Sequence, residues 1–427
     1  MAEEALGLSY VLGVDVGTTR TAAAVCRFAR VGRPEVEVVP LGGPGGGVLT
    51  SLRITADGAF VVGEPGDPVS TATGFARRVG DDVPIAVGGQ WCTAEELTAL
   101  MVMWVATRVA ERDGPAAHVA VTHPASWGPY RTGLLHRALR QVGVGPVTLV
   151  PQPLAAAENH GGPGETVAVL DIGSHGVACS AVRRTATSPF ELLASIEGVD
   201  HLAGADFDDA VFDHVRAELG RKLDSLPDHL LARLRHDCEA AKRMLSTSPE
   251  AVIPVHLPAG RADVRLTRPR FEDLVRPALE HAVDTLRRTT AGHGTPDVVR
   301  LVGGSARIPL VAELVATACR GRIVVEGAPE TTAVKGAALV ARRVVEGPDA
   351  EPEPLETSVL SRFDDPSLRF PVGALEFPDV EFTAPPPRPP VDISPLDLPE
   401  RRSVKRVVRA VAGRGRRTEN DDYEDGR

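Results

Sequence analysis

Two turns that combine an aspartate with glycines are the parts of the sequence best suited to chemistry. The first has Asp15 followed by Gly17, Thr18 and Thr19, and the second has Asp171 followed by Gly173, Ser174, His175 and Gly176. Glycine lets the backbone approach a ligand closely, and the N–H groups of such turns attract anions. Two carboxylates beside a phosphate would suit a hydrated magnesium ion. The alternative is a pair of ordinary β-turns with solvated aspartates, and the repetition counts against it.

A third glycine turn follows the apolar stretch 298–302 and leads into a helical pattern. It contains Gly303, Gly304, Ser305 and Arg307. A double glycine between a strand and a helix permits close approach of a ligand, so we interpret this turn as a platform for an adenosine group. Taken alone, it could also be a simple tight turn. The chain has no Gly-x-x-x-x-Gly-Lys-Ser/Thr motif and no Gly-x-Gly-x-x-Gly opening a helix after a strand, which disfavours P-loop enzymes and nicotinamide dehydrogenases.

The elements that must position these turns form an α/β pattern. Residues 8–345 alternate apolar strands with amphipathic helices. Each Asp-x-Gly turn lies between two apolar strands, which predicts a duplicated half-fold with the two hairpins facing each other across one cleft. One helix, at residues 93–112, begins with Thr93 and Glu96 at the spacing of a capping box.

Composition limits the possible functions. The 427 residues allow two or three domains. The net charge of −10 and the aromatic content of 4% disfavour nucleic-acid binding. No apolar run reaches the length of a membrane span, and the acidic start at residues 1–4 is unlike a secretory signal. Five scattered cysteines are typical of reduced thiols and not of a disulfide or metal framework. We therefore expect a cytoplasmic protein.

A proline-rich tail begins near Glu346. It shows no helical or strand period and is predicted to be disordered or extended. Eight basic residues lie within 401–417, with valines at helical spacing, and acidic residues dominate 419–425. A solvated tail is one interpretation. The other is a protein-binding segment, at residues 385–417, whose short basic helix docks on an acidic partner or an anionic surface.

Taken together, the motifs resemble the nucleotide-binding domain of the DnaK-type heat-shock-70 chaperones, within the superfamily of actins and sugar kinases. The resemblance covers about residues 8–345 and is carried by segments 12–19, 121–127, 152–157, 171–176, 204–208, 238–246 and 301–309. Segments 204–208 and 238–246 match the chaperones and not actins or sugar kinases. The resemblance implies a two-lobed actin-like ATPase (ribonuclease-H-like) fold, with lobe I at 1–165, lobe II at 166–346 and the disordered proline-rich tail at 347–427.

The resemblance also implies a role for each site residue, with ATP or ADP and Mg²⁺ as cofactors. Asp15 and Asp171 would orient magnesium-bound water. The phosphates would contact Gly17, Thr18, Thr19 and the turn Gly173, Ser174, His175, Gly176. The adenine and ribose would contact Gly204, Glu239, Lys242, Arg243 and Ser246 on one side and Gly303, Gly304, Ser305 and Arg307 on the other, with Glu330 near the ribose.

The chain departs from the family at its catalytic positions. The family's catalytic glutamate is Gln152, its loop threonine is Gly176, and a trailing aspartate is Ala178. No lysine matches the phosphate-region lysine, for which Arg77 is the nearest candidate. His175 could face the phosphates or be a solvated loop residue. The departures predict weak or slow ATP hydrolysis, and the tail predicts that the family's peptide-binding half is missing.

Three functions remain open at this point. The leading one is an ATP-binding, heat-shock-70-like chaperone protein with weak ATPase activity. A non-hydrolysing nucleotide-dependent scaffold is the first alternative, which the changed catalytic positions favour. A small-molecule kinase of the same superfamily is the second, and segments 206–208 and 239–243 count against it.

Overall fold

A computed structural model describes residues 10–28, 35–55, 59–64, 66–67, 69–158, 164–185, 190–198, 203–224, 226–258 and 260–347. The strands are β1 Tyr10–Val16, β2 Arg20–Arg27, β3 Val36–Val38, β4 Val48–Leu49, β5 Ser51–Ile54, β6 Phe60–Val62, β7 Thr71–Thr73, β8 Ile85–Val87, β9 Gln90–Cys92, β10 Val119–His123, β11 Val147–Pro151, β12 Thr166–Ile172, β13 Val177–Arg183, β14 Glu191–Glu197, β15 Glu250–Leu257, β16 Gly260–Thr267, β17 Val298–Val302 and β18 Arg322–Val325. The helices are α1 Ala94–Asp113, α2 Pro129–Gln141, α3 Gln152–Ala157, α4 Gly204–Leu219, α5 Asp228–Leu245, α6 Arg268–Thr290, α7 Pro309–Ala318 and α8 Thr332–Glu346. The predicted protein-binding segment 385–417, like the rest of the tail after residue 347, lies outside the described residues.

Two large sheets share one topology. The first has the order β3-β2-β1-β10-β11, with β4 also pairing with β2, and the second has the order β14-β13-β12-β17-β18. In each, the first three strands form an antiparallel meander and the last two are parallel to the central strand. This identity of strand order confirms the α/β class and the duplicated half-fold predicted from the two Asp-x-Gly turns.

Both faces of each central strand are buried. On β1, Tyr10, Leu12 and Val14 pack in a core with α1 and α2, whereas Val11 packs in a separate core with α8. On β12, Leu170 belongs to the core with α4–α7 and Val169 to the one with α3. Alternate side chains of a strand point to opposite faces, so a central strand covered by helices on both sides reads as an apolar run.

Two helices connect the halves of the molecule. Helix α8 covers the first sheet, and a Cβ on Gly13 of β1 would lie 2.5 Å from the carbonyl oxygen of Val334. Helix α3 packs on the second sheet through Ala156 and Ala157. The two helices also touch each other, because a Cβ on Gly336 would lie 1.7 Å from the carbonyl oxygen of Ala155. Each helix therefore packs on the sheet built by the other half of the chain.

The predicted capping box is present at the start of α1. The Thr93 N–H donates to Glu96 Oε2 at 2.9 Å, and the Glu96 N–H donates to Thr93 Oγ1 at 3.3 Å. Along the described part of the chain, none of the helices combines the length and apolarity required to cross a membrane.

Candidate functional site

The two Asp-x-Gly turns have the same geometry and meet face to face. The Gly17 N–H donates to the Arg20 carbonyl at 3.1 Å, and the Gly173 N–H donates to the Gly176 carbonyl at 3.0 Å. A Cβ on Gly17 would lie 2.7 Å from that Arg20 oxygen, so the turn requires glycine. Thr19 Oγ1 lies 2.6 Å from Ser174 Oγ, across the boundary between the halves. The structure therefore brings the two predicted turns to one place.

His175 lies beside this contact, and Thr18 precedes Thr19 in the first turn. Thr18 is half-buried in the first turn, and Thr19 Oγ1 lies 3.2 Å from His175 Nδ1. Burial, followed by the positive charge of Arg77, lowers the pKa of His175. Arg77 is exposed on the 3₁₀ turn Phe75–Arg78, and no described hydrogen bond joins it to either glycine turn. Its role as a phosphate-side cation stays a prediction.

Asp15 and Asp171 converge at the ends of β1 and β12. Burial raises the pKa of Asp15, and a hydrogen bond donated by the Thr122 hydroxyl opposes this shift. Burial, Asp15 and Glu197 together raise the pKa of Asp171 to about 7. The negative charge of Asp15 disfavours the ionised form of Asp171, and a divalent cation close to both carboxylates would neutralise them.

The composition of the site fits a magnesium ion with further ligands from a nucleotide. Within the described ranges, no group of three His, Cys, Asp or Glu side chains is arranged to hold a metal ion by itself. Mg²⁺ usually keeps several waters and binds one or two carboxylates together with phosphate oxygens. Asp15 and Asp171 supply such a pair, so water and phosphate would complete the coordination.

Gln152 lies close to the carboxylate of Asp171. It begins α3, directly after β11, and it lines a small pocket with Asp171, Ala178, Glu197 and Ser180. The strand register places Asp171 opposite Ala178, and Ala178 opposite Glu197. The sequence positions that replace family carboxylates, Gln152 and Ala178, therefore share one pocket.

Glu197 is a site residue that sequence reasoning missed. Its Oε1 accepts a hydrogen bond from the Ala125 N–H at 2.6 Å. Its Oε2 accepts one from the Ser126 N–H at 3.2 Å and another from the Ser126 hydroxyl. Ala125 and Ser126 follow β10 of the first half. No pattern in the sequence indicated this contact, because it joins residues 71 positions apart through sheet packing.

The nucleoside side of the predicted site assembles around the second turn. The Gly204 N–H donates to the Gly173 carbonyl at 2.9 Å, so α4 begins on that turn. Lys242 Nζ donates to the Gly204 carbonyl at 2.6 Å and pairs with Asp208 at 2.8 Å. A Cβ on Gly204 would lie 2.9 Å from Ser305 Oγ. Gly204 is therefore the point where the second turn meets the third glycine turn, α4 and α5.

The third glycine turn lies against Asp171. Gly303 has φ +84°, and a Cβ there would lie 2.4 Å from Asp171 Oδ1, so this position requires glycine. Gly304 is exposed, and a Cβ there would meet nothing within 4 Å. Arg307 pairs with both oxygens of Glu330, at 3.0 and 2.7 Å. A Cβ on Gly303 would thus meet Asp171, whereas the space at Gly304, the next residue, is open.

Glu239 and Arg243 lie on the last turns of α5, and Ser246 directly follows the helix. Arg243 is paired with Glu239, and the Ser246 N–H donates to the Arg243 carbonyl at 3.2 Å. Arg20 lies at the start of β2, in the other half. Burial and then the positive charge of Arg243 lower the pKa of Arg20, whereas the negative charge of Glu239 raises it, so Arg20 lies near this end of α5. Arg20 directly follows Thr19 in sequence, and this adjacency was the only available signal for it.

Comparison with known proteins supports the resemblance. A family model described as Hsp70 protein matches residues 75–353. The chain is 28% identical over 333 residues to a chaperone protein DnaK of Elusimicrobium minutum (strain Pei191), covering 72% of this chain and 53% of that protein. It is also 28% identical over 334 residues to a chaperone protein DnaK of Endomicrobium trichonymphae, covering 71% and 52%. The chain spans about half the length of the curated relatives it matches.

The matched region contains most of the structure described above. Residues 75–353 include the second sheet, both connecting helices, the second and third glycine turns and Gln152. The two sheets of identical strand order and the glycine turns between them are consistent with an actin-like ATPase fold. Because the family model matches more than half of the chain, this protein belongs to the Hsp70 family.

Proposed function

We propose that the cleft between the two sheets binds ATP or ADP with Mg²⁺, and that the protein is an Hsp70-like chaperone protein that hydrolyses ATP slowly. One observation carries the proposal. Asp15 and Asp171 end equivalent strands of the two halves, and the turns that follow them touch through Thr19 and Ser174. A ligand that binds both turns would set the closure of the two halves.

The turns suit the phosphate end of a nucleotide. Successive backbone N–H groups and the hydroxyls of Thr18, Thr19 and Ser174 are donors that match phosphate oxygens. Asp15 and Asp171 would hold the water molecules of the magnesium ion. The bound cation would supply charge neutralisation of the phosphates, which is its usual part in phosphoryl transfer.

The opposite end suits a nucleoside. Gly304 is exposed and has free space above its Cα, which leaves room for a flat ring. The guanidinium of Arg307 is fixed by both oxygens of Glu330. A guanidinium held in this way presents a planar face that stacks on aromatic rings. Lys242 and Arg243 already pair with Asp208 and Glu239, so we assign them to shaping the wall of the site.

Slow hydrolysis follows from the residues beside Asp171. A carboxylate at position 152 could accept a proton from the attacking water, whereas the Gln152 amide can only orient it by hydrogen bonds. Loss of general-base assistance typically slows a reaction by about 10²–10⁴-fold. Ala178 lacks a carboxylate as well. The same observation favours the second candidate, a nucleotide-dependent scaffold that binds ATP without hydrolysing it.

Two further parts of the proposal concern the whole protein. The named relatives are chaperone proteins, and we propose a chaperone-related role in the cytoplasm for this chain as well. We also propose that the tail segment 385–417 recruits a protein partner. A small-molecule kinase is the least favoured candidate, since the chain belongs to the Hsp70 family.

Titration calorimetry with MgADP and MgATP tests the binding proposal. Gly304→Leu should fill the nucleoside space and weaken binding by at least about 2 kcal/mol, or about 30-fold. Gly145→Leu is the matched control, because Gly145 is equally exposed and unobstructed but lies before β11, away from the cleft. Unchanged affinity in Gly304→Leu would contradict the assigned pocket.

A magnesium-dependent ATPase assay, run with and without candidate sugars, separates the three functions. We expect slow turnover that sugars do not change. ATP binding without any turnover would favour the scaffold. Turnover that appears only with a sugar would identify a kinase.

A further inference from the structure

One carboxylate in the pocket beside Asp171 has no assigned role. Glu197 ends β14, opposite Ala178, which is itself opposite Asp171. Directly opposed residues of antiparallel strands lie on the same face of a sheet. The three side chains therefore form one row, with the small alanine in the middle, and Gln152 borders the same pocket.

Hydrogen bonds from the first half hold the Glu197 carboxylate in place. Oε2 accepts from both the N–H and the hydroxyl of Ser126, whereas among the described residues Oε1 accepts only from the Ala125 N–H. Each oxygen of an ionised carboxylate has about two acceptor sites. Oε2 is thus saturated, and Oε1 keeps one site for a further donor.

The neutral residues at positions 152 and 178 fit the presence of Glu197. A carboxylate at 178 would lie directly between Asp171 and Glu197 on adjacent strands, and like charges opposed across strands are destabilising. The methyl group of Ala178 avoids this repulsion and leaves space over the row. Gln152 adds a hydrogen-bonding group without a further charge. Because Asp171 is assigned to the magnesium water, Glu197 is the remaining carboxylate of the pocket.

We propose that Glu197 accepts the proton of the attacking water and partly replaces the carboxylate missing at position 152, so that hydrolysis is slow but not abolished. This inference rests on the proposed hydrolysis of ATP in the cleft. The water oxygen forms a bond to the γ-phosphorus as the bond from that phosphorus to the bridging oxygen breaks. The bridging oxygen leaves on ADP with the bonding electron pair. The water proton passes to Oε1 of Glu197 and then to solvent.

Single-turnover hydrolysis of prebound ATP and calorimetry of MgADP, both on the full chain, test this role. Glu197→Gln keeps the shape but removes the proton acceptor. Its rate should fall by about 100-fold, the lower end of a general-base effect. Its MgADP affinity should change by less than about threefold, because the lost interaction acts in the transition state. Glu191→Gln is the control, since it makes the same change on the exposed, opposite end of β14.

A double-mutant cycle with Gln152 distinguishes proton transfer from a structural contact. In the Glu197→Gln background, adding Gln152→Glu should raise the rate at least about tenfold, whereas Gln152→Glu alone should raise it by a clearly smaller factor, because residues that share one role are not additive. If Glu197 only held the loop after β10 in place, Gln152→Glu would change the hydrolysis rate by the same factor in both backgrounds. Ser126→Ala would then also lose as much rate as Glu197→Gln.

Glu197→Asp provides a second variant if the glutamine variant does not fold. It keeps the charge but withdraws it by one methylene, and its rate should fall at least about tenfold. An unchanged rate in Glu197→Gln or Glu197→Asp, equal gains from Gln152→Glu in both backgrounds, or a chain that binds ATP without turnover would each overturn the role of Glu197. A chain that binds no nucleotide would instead refute the proposed function itself.

Discussion

Gly336 provides the sharpest test of how the two connecting helices hold the halves together. A Cβ at this position would lie 1.7 Å from the Ala155 carbonyl oxygen and 2.5 Å from its carbon. Both atoms belong to the backbone of α3, so no rotamer change can relieve the clash. Ordinary contact begins at 3.4 Å. The helices would therefore have to separate by about 1.7 Å, which is large for a close-packed interior.

Two opposing effects determine the result for Gly336→Ala. Alanine favours the helix over glycine by about 1 kcal/mol. Overpacking a well-packed core costs about 1–3 kcal/mol, and an unavoidable backbone clash belongs at the upper end or beyond. We expect a net loss of about 2 kcal/mol or more in the free energy of unfolding. Because α3 begins at Gln152, the variant should also weaken MgADP binding.

Gly133→Ala is the matched control, with the opposite sign. Gly133 lies within α2, and its Cβ would meet only an Arg137 guanidinium nitrogen at 3.6 Å, an ordinary contact. Helix propensity alone then acts, and stability should rise by up to about 1 kcal/mol. Equilibrium urea unfolding measures both variants through the shift of the midpoint at constant slope. A Gly336→Ala protein as stable as the parent would refute the helix crossing as described.

Three further predictions concern pH, the third glycine turn and the tail. Burial, Asp15 and Glu197 raise the pKa of Asp171 from 3.8 to about 7, so across this window the folded protein binds a proton that the unfolded chain releases. Without nucleotide, the free energy of unfolding should therefore fall as the pH rises, and Asp171→Asn should flatten that slope in urea titrations. Gly303→Ala should weaken MgADP binding at least about tenfold in calorimetry. Gly294 has nearly the same φ, +85°, but open space around it, so Gly294→Ala should lower only the stability of the protein. Equal losses of MgADP affinity in the two variants would contradict the contact of Gly303 with Asp171. Deleting residues 347–427 should leave MgADP affinity unchanged and abolish docking to an acidic protein or anionic vesicles, and lost nucleotide affinity would mean that the tail is part of the fold.

The sequence alone was sufficient for the features that local backbone chemistry encodes. A turn that approaches another backbone closely requires glycine, as at Gly17 and Gly303, and a strand buried on both faces reads as an apolar run. These signals predicted the α/β class, the three glycine turns and the duplicated half-fold. The capping box of α1 was equally local, since Thr93 and Glu96 are three residues apart.

Elements without a clear local signal were missed. Strand β14 reads Glu-Leu-Leu-Ala-Ser-Ile-Glu, a composition that favours a helix as much as a strand, and only pairing with β13 makes it part of the sheet. Strand β15 contains Pro254, which argues against a strand, but the two-stranded hairpin with β16 tolerates it at an edge.

The tertiary structure decided which distant residues face each other. Sheet register aligned Asp171, Ala178 and Glu197 in one row, and the docking of the two halves brought Ser126 to Glu197 and Thr19 to Ser174. The crossing of α3 and α8 depends on a single missing side chain at Gly336. Such contacts join segments far apart in the chain, so no spacing rule encodes them. They arise only when both sheets have formed and their buried faces fix the distance between them.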